Sequence, residues 1–246
     1  MGIVKTLRRK YNILKNSLIS EKKLNLSGKN ILITGCNSGI GLNIFKKIVN
    51  ENNVLAFVND NSEEVDKFKN ANTSILKCDF SDIDNIKNYY ENILKFCPNI
   101  VINCAATFGD SSNLENFDIK KYYKVLNINV LTPISIIKKS IEAKNLEQVV
   151  NISSEMGSIN LNKSGNFYFY RTSKSLLNSF SKNLAIEFKN KINIFCIHPG
   201  SVKTKMNTGG DISPEFSAQK IINICSNNEQ SLSGFLIDIN KNILSW

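Results

Sequence analysis

The stretch NFYFYRTSKS, residues 166–175, holds two tyrosines and one lysine. Side chains four residues apart share a helix face, so the Tyr170 phenol would neighbour the Lys174 ammonium, whereas Tyr168 has Thr172 at the same offset. A free phenol has a pKa of about 10. It becomes an effective acid or base at neutral pH only beside a cation, and a lysine one turn away supplies one. The chemistry open to such a pair is proton transfer to and from an oxygen. Tyr–Lys pairs of this spacing also decorate solvated helices, so the pair alone decides neither catalysis nor which tyrosine performs it.

A second group of residues is built to hold a ligand. In NILITGCNSGIGLNIFKKIV, Gly35, Gly39 and Gly41 stand between an apolar run and a helical pattern. Glycines there let the backbone approach a pyrophosphate closely. The helix that follows presents unpaired N–H groups and the positive end of its dipole to that charge.

These groups need a scaffold, and the apolar patterning indicates which. Short runs read as strands: NILIT (30–34), VLAFV (54–58), SILK (74–77), NIVIN (99–103), QVVNI (148–152), INIFCI (192–197) and GFLIDI (234–239). Most are apolar on both faces, as buried parallel strands are. Helical patterns at about 40–50, 62–70, 82–95, 118–143, 168–189 and 214–226 alternate with them. The expected fold is α/β: one doubly wound, Rossmann-like parallel sheet of about seven strands with helices on both faces, binding ligands beyond the carboxyl ends of its strands. With 246 residues, the chain fits one such domain over 28–246 and an extension over 1–27.

The extension has Val4, Leu7, Tyr11, Leu14 and Leu18 at alternating spacings of three and four, with seven basic residues against Glu21. It reads as a basic amphipathic helix. Docking on the protein's own body or a second subunit, lying on an anionic membrane surface, and a loosely ordered tail all fit this pattern. The net charge of +10 is concentrated there. The rest shows no cluster of basic and aromatic residues, so nucleic-acid binding is set aside. The six cysteines are scattered and the single histidine, His198, lacks ligand-spaced partners, so no metal site is expected and reduced thiols are. Without a signal peptide or a membrane-spanning apolar run, the expected location is cytoplasmic, with peripheral membrane association through residues 1–27 left open.

The loop spacing, T-G-x-x-x-G-I-G, is followed in order by CDF (78–80), NCAA (103–106), LNINV (126–130), NISSEMGS (151–158), YRTSK (170–174) and HPGSVKT (198–204). With these motifs the chain resembles the short-chain dehydrogenase/reductase (SDR) family over roughly residues 28–240, and within it looks most like the C-factor and sniffer-type carbonyl reductases. The resemblance implies a catalytic tetrad of Asn129, Ser154, Tyr170 and Lys174. Tyr170 would be the general acid/base. Lys174 would lower its pKa and bind the nicotinamide ribose, Ser154 rather than Ser153 would donate to the substrate oxygen, and Asn129 would anchor a relay water. It further implies that Thr34, Gly35, Asn37, Ser38, Gly39, Ile40, Gly41, Asn59, Asp60, Asp79, Phe80, Asn103, Ala105, Pro199, Gly200, Val202 and Thr204 form the cofactor site with Tyr170 and Lys174. His198 would be structural.

The end of the second strand, FVNDNSEE, should read the adenosine ribose. Asn59 stands where NAD-preferring relatives carry Asp, Asp60 stands where many NADP-preferring ones carry Arg, and neither Arg is present. The expectation is NAD, with NADP possible. The implied function is hydride transfer between a nicotinamide cofactor and a carbonyl or alcohol, by a homo-oligomer joined through the helices at 118–143 and 168–189. A catalytically silent, cofactor-sensing regulator is the alternative, and a sugar-nucleotide epimerase is disfavoured by the loop spacing. NCAA departs from the commoner N-N-A-G. The loops at 107–117, 155–167 and 205–213 read as small and polar, and the short segment 203–214 implies an open pocket.

Overall fold

The computed structural model describes residues 26–110 and 113–246. The expected amphipathic helix of the extension lies outside the described residues. Among the described residues, eight strands form one sheet: β1 (Asn30–Thr34), β2 (Asn53–Val58), β3 (Thr73–Lys77), β4 (Ile100–Asn103), β5 (Gln148–Ile152), β6 (Asn193–His198), β7 (Leu236–Asp238) and β8 (Ile243–Leu244). Their order is β3-β2-β1-β4-β5-β6-β7-β8. Every pairing is parallel except β7 with β8. The chain winds one way from β1 to β3 and then crosses back to β4. The carboxyl ends of β1 and β4 therefore flank the crevice where such sheets bind ligands.

Among the described residues, seven α-helices cover the sheet: α1 (Gly39–Ile48), α2 (Glu63–Asp66), α3 (Tyr90–Phe96), α4 (Ile119–Leu126), α5 (Thr132–Glu142), α6 (Tyr168–Glu187) and α7 (Pro214–Asn227). Because both sheet faces are apolar, two cores form. On one face Ile44, Phe45 and Ile48 of α1 meet Ile221 and Ile222 of α7 over Ile31, Ile33 and Val150. On the other, Ile93 of α3, Ile136 and Ile137 of α5 and Ala185 of α6 pack on Leu32, Val101 and Val149. Among the described residues, no helix is long and apolar enough to cross a membrane.

The seven expected strands are present, and the structure adds β8. This two-residue strand turns back on β7 because the Asp238 carboxylate accepts hydrogen bonds from the backbone N–H groups of Asn240 and Asn242. It is too short to register as an apolar run. The helix expected at 62–70 shrinks to the single turn of α2. The long helix expected at 118–143 is broken between α4 and α5 by a π-helical turn at Asn127–Leu131. Such widened turns re-aim side chains and are common at functional sites.

Candidate active site

A cleft of about 460 Å³ runs along the carboxyl ends of β1, β2, β4 and β5. One end is the turn from β1 into α1. Ser38 caps α1 in extended geometry without a side-chain cap bond, and the first turn carries no acidic residue. The N–H groups of that turn thus lack side-chain acceptors and suit a phosphate-bearing ligand. Gly41 is required here for space: a Cβ would lie 2.2 Å from the Gly35 carbonyl oxygen. The missing side chain lets α1 pack on the Gly35 carbonyl, and the N–H groups of its first turn fit a pyrophosphate.

Around this turn, side chains brace the strand ends. The Thr34 hydroxyl accepts from Cys104 N and Ala105 N, both at 3.1 Å, tying β1 to the loop after β4. Asn37 bridges to β2, accepting from Asn59 N at 2.9 Å and donating to Asp60 O at 2.7 Å. The Asp60 carboxylate turns instead to Lys77, 3.0 Å away. Asp79 and Phe80 line the cleft beyond β3, with the Phe80 ring tilted against Phe57.

The other end is made by α6, the loop after β5 and the π-helical turn. Tyr170 and Lys174 are both buried on one face of α6, whereas Tyr168 is exposed at its start. The helix approaches closely because of Gly157, where a Cβ would meet Lys174 Cβ at 2.8 Å. Lys174 donates from Nζ to Ile152 O at 2.7 Å, and its ammonium lies 5.6 Å from the centre of the Tyr170 ring. Burial pushes the Tyr170 phenol up to about 12, a hydrogen bond from Ser154 pulls it back, and Cys104 adds to the rise. Burial also lowers Lys174 to about 8, opposed by Cys104 and Cys196. At neutral pH the pair therefore stands as phenol and ammonium.

The neighbouring serines are separated by their partners. Ser153 lines the cleft, but its hydroxyl donates to Asn178 Oδ1 at 2.7 Å. Ser154 caps the short 3₁₀ turn Glu155–Gly157, accepting from Met156 N, and its hydroxyl is the one bonded to Tyr170. Asn129, fully buried in the π-helical turn, accepts from Thr107 N (2.8 Å) and donates to Thr107 O and Ser173 Oγ (both 2.9 Å). It clamps the loop after β4 to α6, and Asn127 points instead to Ser81 O.

The short chain dehydrogenase family model matches residues 29–212. The chain belongs to this family. Like other short-chain dehydrogenases, it is an oxidoreductase. It is 30% identical to a fatty acyl-CoA reductase of Acinetobacter baylyi over 219 residues, which cover 80% of this chain and 73% of that protein. A Mus musculus 3-ketodihydrosphingosine reductase is 24% identical over 188 residues, 70% of this chain, and the match spans only 55% of the mouse protein. Among solved structures, the carbonyl reductase Sniffer of D. melanogaster superposes with a TM-score of 0.80 at 24% identity, over 89% of this chain and 100% of that one. An NADPH-bound carbonyl reductase from chicken fatty liver does so with a TM-score of 0.80 at 23% identity, over the same shares of the two chains. At these identities the two structures establish the fold.

In this short-chain dehydrogenase the cleft brings together Gly35, Asn37, Ser38, Gly39, Ile40, Gly41, Asn59, Asp79, Phe80, Ala105, Tyr170, Lys174, Pro199 and Thr204. Thr34, Asp60, Asn129 and Ser154 stand behind or beside that lining. Asn103 faces the sheet interior, donating to Asn151 Oδ1 at 2.8 Å. Gly200 packs against Ile212, and Val202 bridges to the same residue. His198, half-buried at the end of β6, has Nε2 3.8 Å from Glu155. The sequence reading set the loops at 107–117 and 205–213 beside the pocket, and Thr107, Lys205 and Met206 of those loops line it; it did not place Phe57 and Ile128 there. Position in a loop after a strand was the available signal. Phe57 and Ile128 carried none, because each reads simply as a core position.

Proposed function

We propose that this protein transfers a hydride between a nicotinamide dinucleotide and a carbonyl or alcohol substrate, with Tyr170 as the general acid and base. The observation that carries the reading is the buried Tyr170 phenol, hydrogen-bonded to Ser154 and one turn from Lys174, at one end of a cleft whose other end is the open N-terminus of α1. The dinucleotide would lie along Gly35–Gly41, Asn59, Asp79 and Phe80 towards Thr204. When bound, it supplies or accepts the hydride and places positive charge near the phenol in its oxidised form.

In the reducing direction the Tyr170 hydroxyl gives its proton to the substrate oxygen. Ser154 donates a hydrogen bond to that same oxygen and stabilises the charge developing there. Lys174, fixed by Ile152 O, stabilises the resulting phenolate, and solvent returns the proton. Asn129 holds the loop after β4 and α6 in register, so that the phenol and the cleft wall keep their spacing. This clamp uses both ends of its amide, so an ordered water on Asn129 would have to share them.

Asn59 accommodates either a 2′-hydroxyl or a 2′-phosphate. NAD is favoured because, among the described residues, no guanidinium stands at this end. The test is parallel calorimetric titration with NADH and NADPH, followed by carbonyl reduction by wild type and Tyr170→Phe. Binding of either cofactor with turnover reduced by about 10²–10⁴-fold in the variant is the expected result. Cofactor binding without turnover in the wild type would instead favour a cofactor-sensing regulator.

A further inference from the structure

The loops around the catalytic end are mostly polar in composition but carry several apolar side chains. Phe108 lies on the Tyr170 ring, with centroids 4.2 Å apart and planes inclined by 39°, and Phe167 packs on Phe108 at 5.9 Å. Phe167 is 43% exposed although it sits directly before the catalytic helix, and Met206, which lines the cleft with Tyr170 from the loop after β6, is 42% exposed. The loop before α6 also exposes Ile159 and Leu161. An apolar surface left open beside a cleft is a feature of ligand-binding grooves.

Backbone geometry shows that this surface is held in place. Asn166 and Phe167 have φ of +57° and +52°, left-handed values that are rare for a bulky ring. Strain of this kind persists only where the surroundings over-determine it. Here Arg171 fastens the loop, donating from Nε to Gly165 O at 3.1 Å and from Nη2 to Ser164 Oγ at 2.9 Å. The result is a half-open aromatic ring seated against the ring that covers Tyr170. Nothing in the local sequence requires a phenylalanine in this conformation, since asparagine or glycine would adopt it more readily.

We propose, resting on the hydride-transfer reading above, that the substrate carbonyl bears an apolar substituent, aromatic or extended alkyl, which packs on the Phe108–Phe167 pair and Met206. Polyhydroxylated carbonyls are the disfavoured class. A short polyhydroxylated chain gains little there, because it removes little apolar area from water, whereas an alkyl chain exchanges water for ring contact.

The experiment is a kcat/KM series with the full chain, its preferred reduced cofactor and straight-chain methyl ketones of increasing length, with dihydroxyacetone as the polar comparator. The wild type should gain about fourfold per added methylene over the first few carbons. Phe167→Asn keeps a residue that tolerates the left-handed conformation. It should therefore stay folded, with an unchanged melting temperature, while the gain per methylene drops below about twofold. Phe108→Leu should retain most of the chain-length gain. A flat series, a preference for dihydroxyacetone, or an undiminished slope in Phe167→Asn would overturn the inference while leaving hydride transfer standing. Failure to reduce any carbonyl despite cofactor binding would remove the hydride-transfer reading and this one with it.

Discussion

Replacing Lys174 with methionine should remove a specific pH dependence of stability, and its size follows from burial. Only 2% of the Lys174 surface is exposed, and burial lowers its pKa from the ordinary 10.5 to about 8. The folded chain thus holds this proton more weakly than the unfolded chain does. The charge opposes folding in full below pH of about 8, and the penalty fades as pH rises from about 8 to 10.5. The fall corresponds to about 3 kcal/mol. The hydrogen bond to Ile152 O does not cancel this dependence, because a neutral amine keeps a donor for it. Urea denaturation of both proteins without cofactor, at intervals from about pH 7 to 10, isolates the effect. Taking the difference at each pH removes the groups that titrate alike in both, and stopping at about pH 10 keeps clear of the Tyr170 phenol, whose raised pKa takes stability away above that point. The wild type should gain about 2–3 kcal/mol on Lys174→Met across that range, a change worth roughly 4–12 °C in Tm for a chain of this size. A constant difference would refute the reasoning. It would mean that Ile152 O and the surrounding dipoles fully replace the water the ammonium has lost.

Gly41→Ala should lower stability by about 1–3 kcal/mol and weaken dinucleotide binding, because its Cβ would fall 2.2 Å from backbone oxygen that no rotamer change can move aside. Thermal melts and calorimetric titration check both effects, and a variant as stable as wild type would show that the turn is looser than its geometry implies. On adjoining helices, Ile119 and Tyr123 of α4 and Leu176 and Phe180 of α6 are exposed apolar side chains at four-residue spacing. If they form the expected subunit interface, Phe180→Glu should shift the protein to a smaller species in sedimentation or size-exclusion measurements; an unchanged size would place the interface elsewhere.

The pairing of Tyr170 with Lys174 was legible because helical periodicity is local: four residues set the shared face whatever packs around it. The glycine turn was legible for a similar reason, since its close packing depends on side chains that are absent between a strand and a helix. The seven parallel strands followed from continuous apolar runs, which only a sheet covered on both faces can bury. By contrast, Ser153 and Ser154 are chemically identical neighbours, and the structure separates them through Asn178, which engages Ser153 from α6. LNINV gave no local sign of the π-helical turn that directs Asn129 between Thr107 and Ser173. Phe108 and Phe167 lie far apart along the chain, so only the fold could stack them beside Tyr170. The pH behaviour of the phenol and the ammonium was likewise beyond the sequence, because desolvation depends on what surrounds a group in space and not on its neighbours along the chain.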